Sequence, residues 1–109
     1  VIKINPALPK AFGLRGTLYL FKDQYNLAIK DLTAAIKLDP NFAAAYYRRG
    51  LAYGLTTQFI SALADLNRAI QLNPNDKEYY KTRAIIYRGL GKKSLAALDE
   101  QTSQDLSIQ

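Results

Sequence analysis

The chain repeats itself every 34 residues. Pro6, Pro40 and Pro74 are one such column, and each closes a related tail: Ile2-Lys3-Ile4-Asn5-Pro6, Ile36-Lys37-Leu38-Asp39-Pro40 and Ile70-Gln71-Leu72-Asn73-Pro74. The same step links Phe12, Tyr46 and Tyr80; Gly16, Gly50 and Ala84; Tyr19, Tyr53 and Tyr87; Ala28, Ala62 and Ala96; Asp31, Asp65 and Asp99; and Arg15, Arg49 and Arg83. A unit this short cannot bury its apolar face alone, so such a chain must stack its units into an array.

Each unit reads as two helices. Phe12, Gly16 and Tyr19 are spaced i, i+4, i+7, as are Ala28, Leu32 and Ala35, so each set lies on one helical face. Small residues let two backbones approach, and rings fill the gaps between units. Proline ends each unit. The spacing predicts helices over 10–21, 25–38, 43–55, 59–72, 77–89 and 93–104. Asn41 and the Asn75-Asp76 pair stand where helix N-caps are needed. Periodicity places Tyr19, Tyr46, Tyr53, Tyr80 and Tyr87 in the core. The Arg and Asp columns each lie ~60° off a core direction, which suits a repeated structural ion pair at the seam between the helices of a unit.

A 34-residue helix–turn–helix with Phe12, Gly16, Tyr19, Ala28, Ala35 and Pro40, then Tyr46, Gly50, Tyr53, Ala62, Ala69 and Pro74, resembles the tetratricopeptide repeat. The resemblance covers essentially the whole chain. It implies an all-α fold, an α-solenoid of antiparallel helix pairs wound as a right-handed superhelix. The units would be 9–42, 43–76 and 77–109, with 1–8 as the tail of a preceding unit. Arg15, Arg49 and Arg83 depart from the large aliphatic usual before the Gly column, as in an Arg-Gly variety of the repeat. The third unit decays: Ala84 replaces Gly, Lys93 replaces the ring of Tyr25 and Phe59, and Glu100 replaces Leu32 and Leu66. A polar last helix suits a terminal cap. The array is therefore expected to extend upstream and to end near Gln109.

Little catalytic chemistry is available. Cys, Met, Trp and His are absent, which removes disulfides, Cys- or His-based metal sites and His-dependent triads. No catalytic residue, metal or cofactor is expected. The longest uncharged apolar stretch, Phe42 to Tyr47, is too short to span a bilayer. The reading is of a soluble protein, with the cytoplasm the favoured compartment. Gly91-Lys92-Lys93-Ser94 fails the phosphate-loop pattern and sits between two helices. Arg48-Arg49-Gly50 lies mid-helix, so it is no RNA-binding box.

A second stripe on the first helix of each unit is too apolar for a solvated face. It runs Lys10, Gly13, Thr17, Leu20, Phe21, then Ala44, Tyr47, Leu51, Gly54, Leu55, then Glu78, Lys81, Ile85, Arg88, Gly89. The resemblance implies that this is the concave peptide-binding surface. The candidate groove residues are Lys10, Gly13, Thr17, Leu20, Phe21, Tyr47, Arg48, Leu51, Leu55, Lys81, Ile85 and Arg88. Leu20, Phe21 and Leu55 have an alternative role in closing the turn between helices. Gly13, Gly54 and Gly89 are expected to open room for a ligand, and Lys81 and Arg88 to receive its carboxylates. One branch of the family clamps the C-terminal carboxylate of cytosolic chaperones with Lys and Asn. The matching columns here hold Gly13, Thr17, Arg48, Glu78 and Thr82, so no such clamp is expected. Leu14, Arg48 and Thr82 do not make an Asn ladder either.

These readings converge on a non-catalytic protein–protein interaction scaffold that binds an apolar, acidic peptide segment. The first alternative is self-association through exposed repeat ends, giving a homo-oligomer. The second is a basic helical-repeat nucleic-acid binder. Its support is the net charge of +6 alone, and no repeated base-reading pair recurs.

Overall fold

A computed structural model describes residue 5 and residues 7–108. Six helices follow one another: α1 (Ala7–Phe21), α2 (Tyr25–Leu38), α3 (Ala43–Leu55), α4 (Phe59–Leu72), α5 (Lys77–Gly89) and α6 (Lys93–Ser107). Four of them have the expected bounds. Helix α1 begins earlier because Asn5 Oδ1 accepts from the Ala7 N–H at 2.9 Å, and Pro9 sits in the first turn, where a missing N–H costs nothing. Helix α6 runs past 104 to Ser107. Apart from Asn5, the tail Val1 to Pro6 lies outside the described residues.

Asp76 caps α5 as expected, accepting from the Glu78 N–H at 3.0 Å. Asn41 does not cap α3. Its own N–H is turned to Asp39 Oδ1 at 3.1 Å, and Phe42 takes the cap position with no side-chain bond.

Short connections bring the helices of each unit side by side, α1 on α2, α3 on α4 and α5 on α6. Glycine permits the approach. A Cβ on Gly16 would stand 2.9 Å from Leu32 Cγ, and one on Gly50 would stand 3.2 Å from Leu66 Cγ. Leu32 and Leu66 are the largest fully buried side chains, surrounded by the alanine columns. In successive units the first helices touch (α1 with α3, α3 with α5), while the second helices share no contact. The stack therefore curves, with α1, α3 and α5 on the inner side.

The turn inside each unit carries one residue at positive φ: Asp23 (60°), Thr57 (61°) and Gly91 (76°). The Gly-Lys-Lys-Ser run is thus a helix–helix turn with glycine at its left-handed position. Thr57 is β-branched there and strained. We expect Thr57→Gly to raise stability by about 1 kcal/mol, read as a higher urea midpoint. An unchanged or lower midpoint would show that the turn is not strained.

The tyrosine columns correct the sequence reading. Tyr19, Tyr46, Tyr53, Tyr80 and Tyr87 are half-buried rather than fully buried, and of these Tyr19 and Tyr53 pack against the core clusters. Their rings serve the arginine column. Arg49 lies 5.9 Å from the Tyr46 centroid and 5.8 Å from that of Tyr53, and Arg83 lies 5.7 Å from Tyr80 and 5.6 Å from Tyr87. The hydroxyls stay near the surface because they have polar work to do. Tyr46 Oη–H donates to the Pro40 carbonyl at 3.0 Å and Tyr80 Oη–H to that of Pro74 at 2.7 Å. Ring and proline columns together lock one unit to the next.

The ion pairs are present and bidentate. Arg15 Nε and Nη2 donate to Asp31 at 2.6 and 2.9 Å. Arg49 donates to Asp65 at 2.8 Å from both nitrogens, and Arg83 to Asp99 likewise at 2.8 Å. Bonding to the carboxylate raises each guanidinium above its ordinary value, against the effect of burial.

Candidate functional site

The inner layer holds two apolar hollows in series along α3. The first, between α1 and α3, has a volume of about 240 Å³ and is lined by Gly13, Leu14, Thr17, Ala44 and Arg48 among others. The second, between α3 and α5, is about 180 Å³ and is lined by Leu51, Leu55, Thr82, Ile85 and Ile86 among others. Exposed Leu14, Leu55 and Ile85 form their rims.

Several predicted groove residues lie in this layer. Thr17 lines the first hollow, with its hydroxyl donating to the Gly13 carbonyl at 2.7 Å. Arg48 lines the same hollow, and Leu51, Leu55 and Ile85 line the second. Leu55 and Ile85 are 57% and 63% exposed, and Phe21 is exposed at the edge of α1. Lys10 is exposed but lines neither hollow.

Others are placed elsewhere by packing. Leu20 is only 7% exposed and belongs to the first core cluster, so its turn-closing role is the one realised. Tyr47 is half-buried against Tyr79, with ring centroids 4.8 Å apart. Gly13 borders the first hollow and Gly54 the second, but none of the three glycines leaves a side chain's worth of free space beside it. A Cβ on Gly13 would meet the Phe42 ring at 3.0 Å, on Gly54 Ile86 Cδ1 at 2.6 Å, and on Gly89 the Phe59 ring at 2.9 Å. Their space is taken by side chains of neighbouring helices.

The charges are also redistributed. Arg88 does not face the groove free: its Nη2 donates to Glu100 on α6 at 2.6 Å. Lys81 lines a polar hollow between α5 and α6 with Glu78, Glu100 and Ser103, at the end of the stack. The cation of the inner layer is Arg48. Among the described residues no carboxylate pairs with it. Burial pushes the Tyr79 phenol above its ordinary value, with Asp76 adding to the rise and Arg48 opposing it.

Leu14, Thr82 and Ile86 line the hollows without lying on the predicted stripe. Leu14 and Thr82 share a 34-residue column with Arg48, and that column was the available signal. Among the described residues there is no cluster of ligating side chains that could hold a metal ion. No helix there is long and apolar enough to cross a membrane.

A curved stack of helix pairs with an apolar inner face is an all-α helical-repeat solenoid of the protein-interaction class. Two sequence profiles of one family match the chain: one described as TPR repeat over residues 16–56 and one described as Tetratricopeptide repeat over residues 43–76. The chain belongs to the tetratricopeptide repeat family, a non-catalytic protein-interaction module. No curated protein matched it by sequence.

Solved structures agree on the fold. The first such domain of Spaghetti (RPAP3), bound to HSP90 peptide SRMEEVD, superposes with a TM-score of 0.91 at 24% identity, covering 97% of this chain and 84% of that one. MamA gives 0.88 at 23% identity, covering 95% of this chain and 61% of MamA. The TPR2AB domain of yeast Sti1, in complex with an HSP90 peptide, gives 0.89 at 27% identity, covering 94% of this chain and 40% of that one.

Proposed function

We propose that the inner face of α1, α3 and α5 binds an extended partner segment with two apolar side chains and an acidic residue between them. The observation that carries this reading is Arg48, without a carboxylate partner among the described residues, in the wall of the first of two apolar hollows on one helix. The hollows centre about seven residues apart on α3, roughly 10 Å at helical rise. An extended peptide covers that in about three residues. Exposed apolar surface of this kind marks an interaction site, and a cation in a partly apolar setting selects an acidic group. The acidic group is assigned to Arg48 rather than to Lys81 and Arg88, because Arg88 already holds Glu100.

Several neighbours of this fold were solved with chaperone peptides. We propose that this chain does not make their carboxylate contacts. Gly13 lies under Phe42, Thr82 is buried and Glu78 repels an anion.

Selection from a random peptide display library tests the reading. Enriched peptides should carry an acidic residue flanked by apolar ones, and should lose binding at least ~10-fold to a Leu55→Asp, Ile85→Asp variant. Both residues are exposed, so the variant should fold. Arg48→Glu should reverse the charge preference. Peptide SRMEEVD should bind no tighter than about 1 mM. Equal binding of the enriched peptides to wild type and to the groove variant would move the site off this face.

A further inference from the structure

The three turns inside the units lie in a row along one edge of the stack, because α1, α3 and α5 run side by side and end together. Neighbouring turns adjoin. Leu27 and Thr56, from the first and second, line one hollow of about 360 Å³. The Phe59 ring of the second fills the space beside Gly89 of the third. At interhelical spacings of about 10 Å the row is roughly 20 Å long.

This edge is apolar and basic. Phe21 (74%), Leu27 (45%), Leu55 (57%), Ile60 (71%) and Leu95 (42%) are all exposed there. The charges of residues 21–27, 55–61 and 89–95 are Lys22, Lys92 and Lys93 against Asp23 alone, whose carboxylate accepts from the Tyr25 hydroxyl at 3.1 Å. The opposite edge differs. The loops between units, 37–43 and 71–77, expose no large apolar side chain and balance Lys37 and Lys77 against Asp39 and Asp76. The repeat does not need aliphatics at the turns. Asn26 and Ser94 share the column of Ile60, and Ser61 shares that of Leu27 and Leu95.

We propose that the turn edge docks on an anionic phospholipid bilayer, with these side chains at the acyl boundary and the lysines among the headgroups. The apolar residues stand on protruding turns, which suits a soft planar surface that they can enter by about 5–10 Å. Lysine is the matching cation, because its stem lies along apolar surface while its ammonium stays in the polar layer. Nucleic acid fits less well. Its bases stack on rings, whereas four of the five exposed side chains are aliphatic. No arginine in the three turns offers a phosphate a bidentate contact. The inner face stays free, so this inference is independent of the peptide reading. Leu55 belongs to both surfaces and is left unchanged in the test.

Co-sedimentation with vesicles provides that test. The chain should bind phosphatidylcholine vesicles containing one-third phosphatidylserine at least ~10-fold more tightly than pure phosphatidylcholine vesicles. Phe21→Ser with Ile60→Ser should weaken binding to the anionic vesicles at least ~10-fold. Both residues are largely exposed, so the variant should keep the wild-type melting point. Lys92→Glu with Lys93→Glu should remove the preference for phosphatidylserine. Ile85→Asp, on the inner face alone, should change nothing. Failure of the wild type to bind anionic vesicles would overturn the proposal. So would binding that the Phe21/Ile60 variant retains in full, which would mark a general attraction of a basic chain to anions. A concentration-dependent dimer that the same variant abolishes would also overturn it, assigning the edge to a second copy.

Discussion

Asp65→Ala is expected to destabilise the chain by about 3–5 kcal/mol, whereas Asp31→Ala should cost far less. Both carboxylates are buried and both accept two bonds from an arginine. The partners differ. Arg49 is wedged between Tyr46 and Tyr53 and tied to Thr33, so losing Asp65 strands a desolvated charge. Arg15 is largely in water, and solvent can take over when Asp31 is gone. Urea unfolding of the two variants measures the difference. Equal losses would show that exposure of the arginine does not set the cost.

Gly50→Leu should cost more than about 3 kcal/mol, enough to unfold a stack this short, because the site cannot yield. A Cβ there already meets Leu66 Cγ at 3.2 Å, the Ala62 carbonyl oxygen at 3.3 Å and Asp65 Cβ at 3.4 Å. Two of these are roots of buried side chains and the third is backbone, so α3 and α4 must part. Gly54→Ala should behave oppositely, with a net change within about 1 kcal/mol. Its Cβ meets only the terminal methyl of Ile86, which can swing aside, and the helix gains propensity worth up to about 1 kcal/mol. Thermal melts followed by circular dichroism separate the two. If Gly54→Ala proved as damaging as Gly50→Leu, the close approach at Gly50 would not be special.

The inner face was only partly legible before folding. Helical spacing alone put Leu20 and Leu55 on one stripe. Yet Leu20 joins the core and Leu55 stays exposed, because they stand one column apart: Leu55 shares its column with the exposed Phe21, and Leu20 shares its own with Gly54. The glycines read as gaps for a ligand because a sequence shows the missing side chain and not the ring or methyl that another helix sends into the space. Arg88 read as a free cation because Glu100 is twelve residues away in sequence, on a helix whose facing side periodicity does not specify. The tyrosine columns read as core because periodicity reports the face of a helix and not the depth at which its rings end.

The 34-residue columns by themselves determined the six helices, their pairing and the arginine–aspartate seam. Each depends on spacing along one helix or across one short turn, where geometry is nearly fixed by the number of residues between. Tertiary structure decided which inner residues remain open and puts Arg48, without a carboxylate partner among the described residues, in the wall of the first hollow. These outcomes depend on which side chain from a neighbouring unit reaches a given space first, and that competition is settled only when the units are packed together.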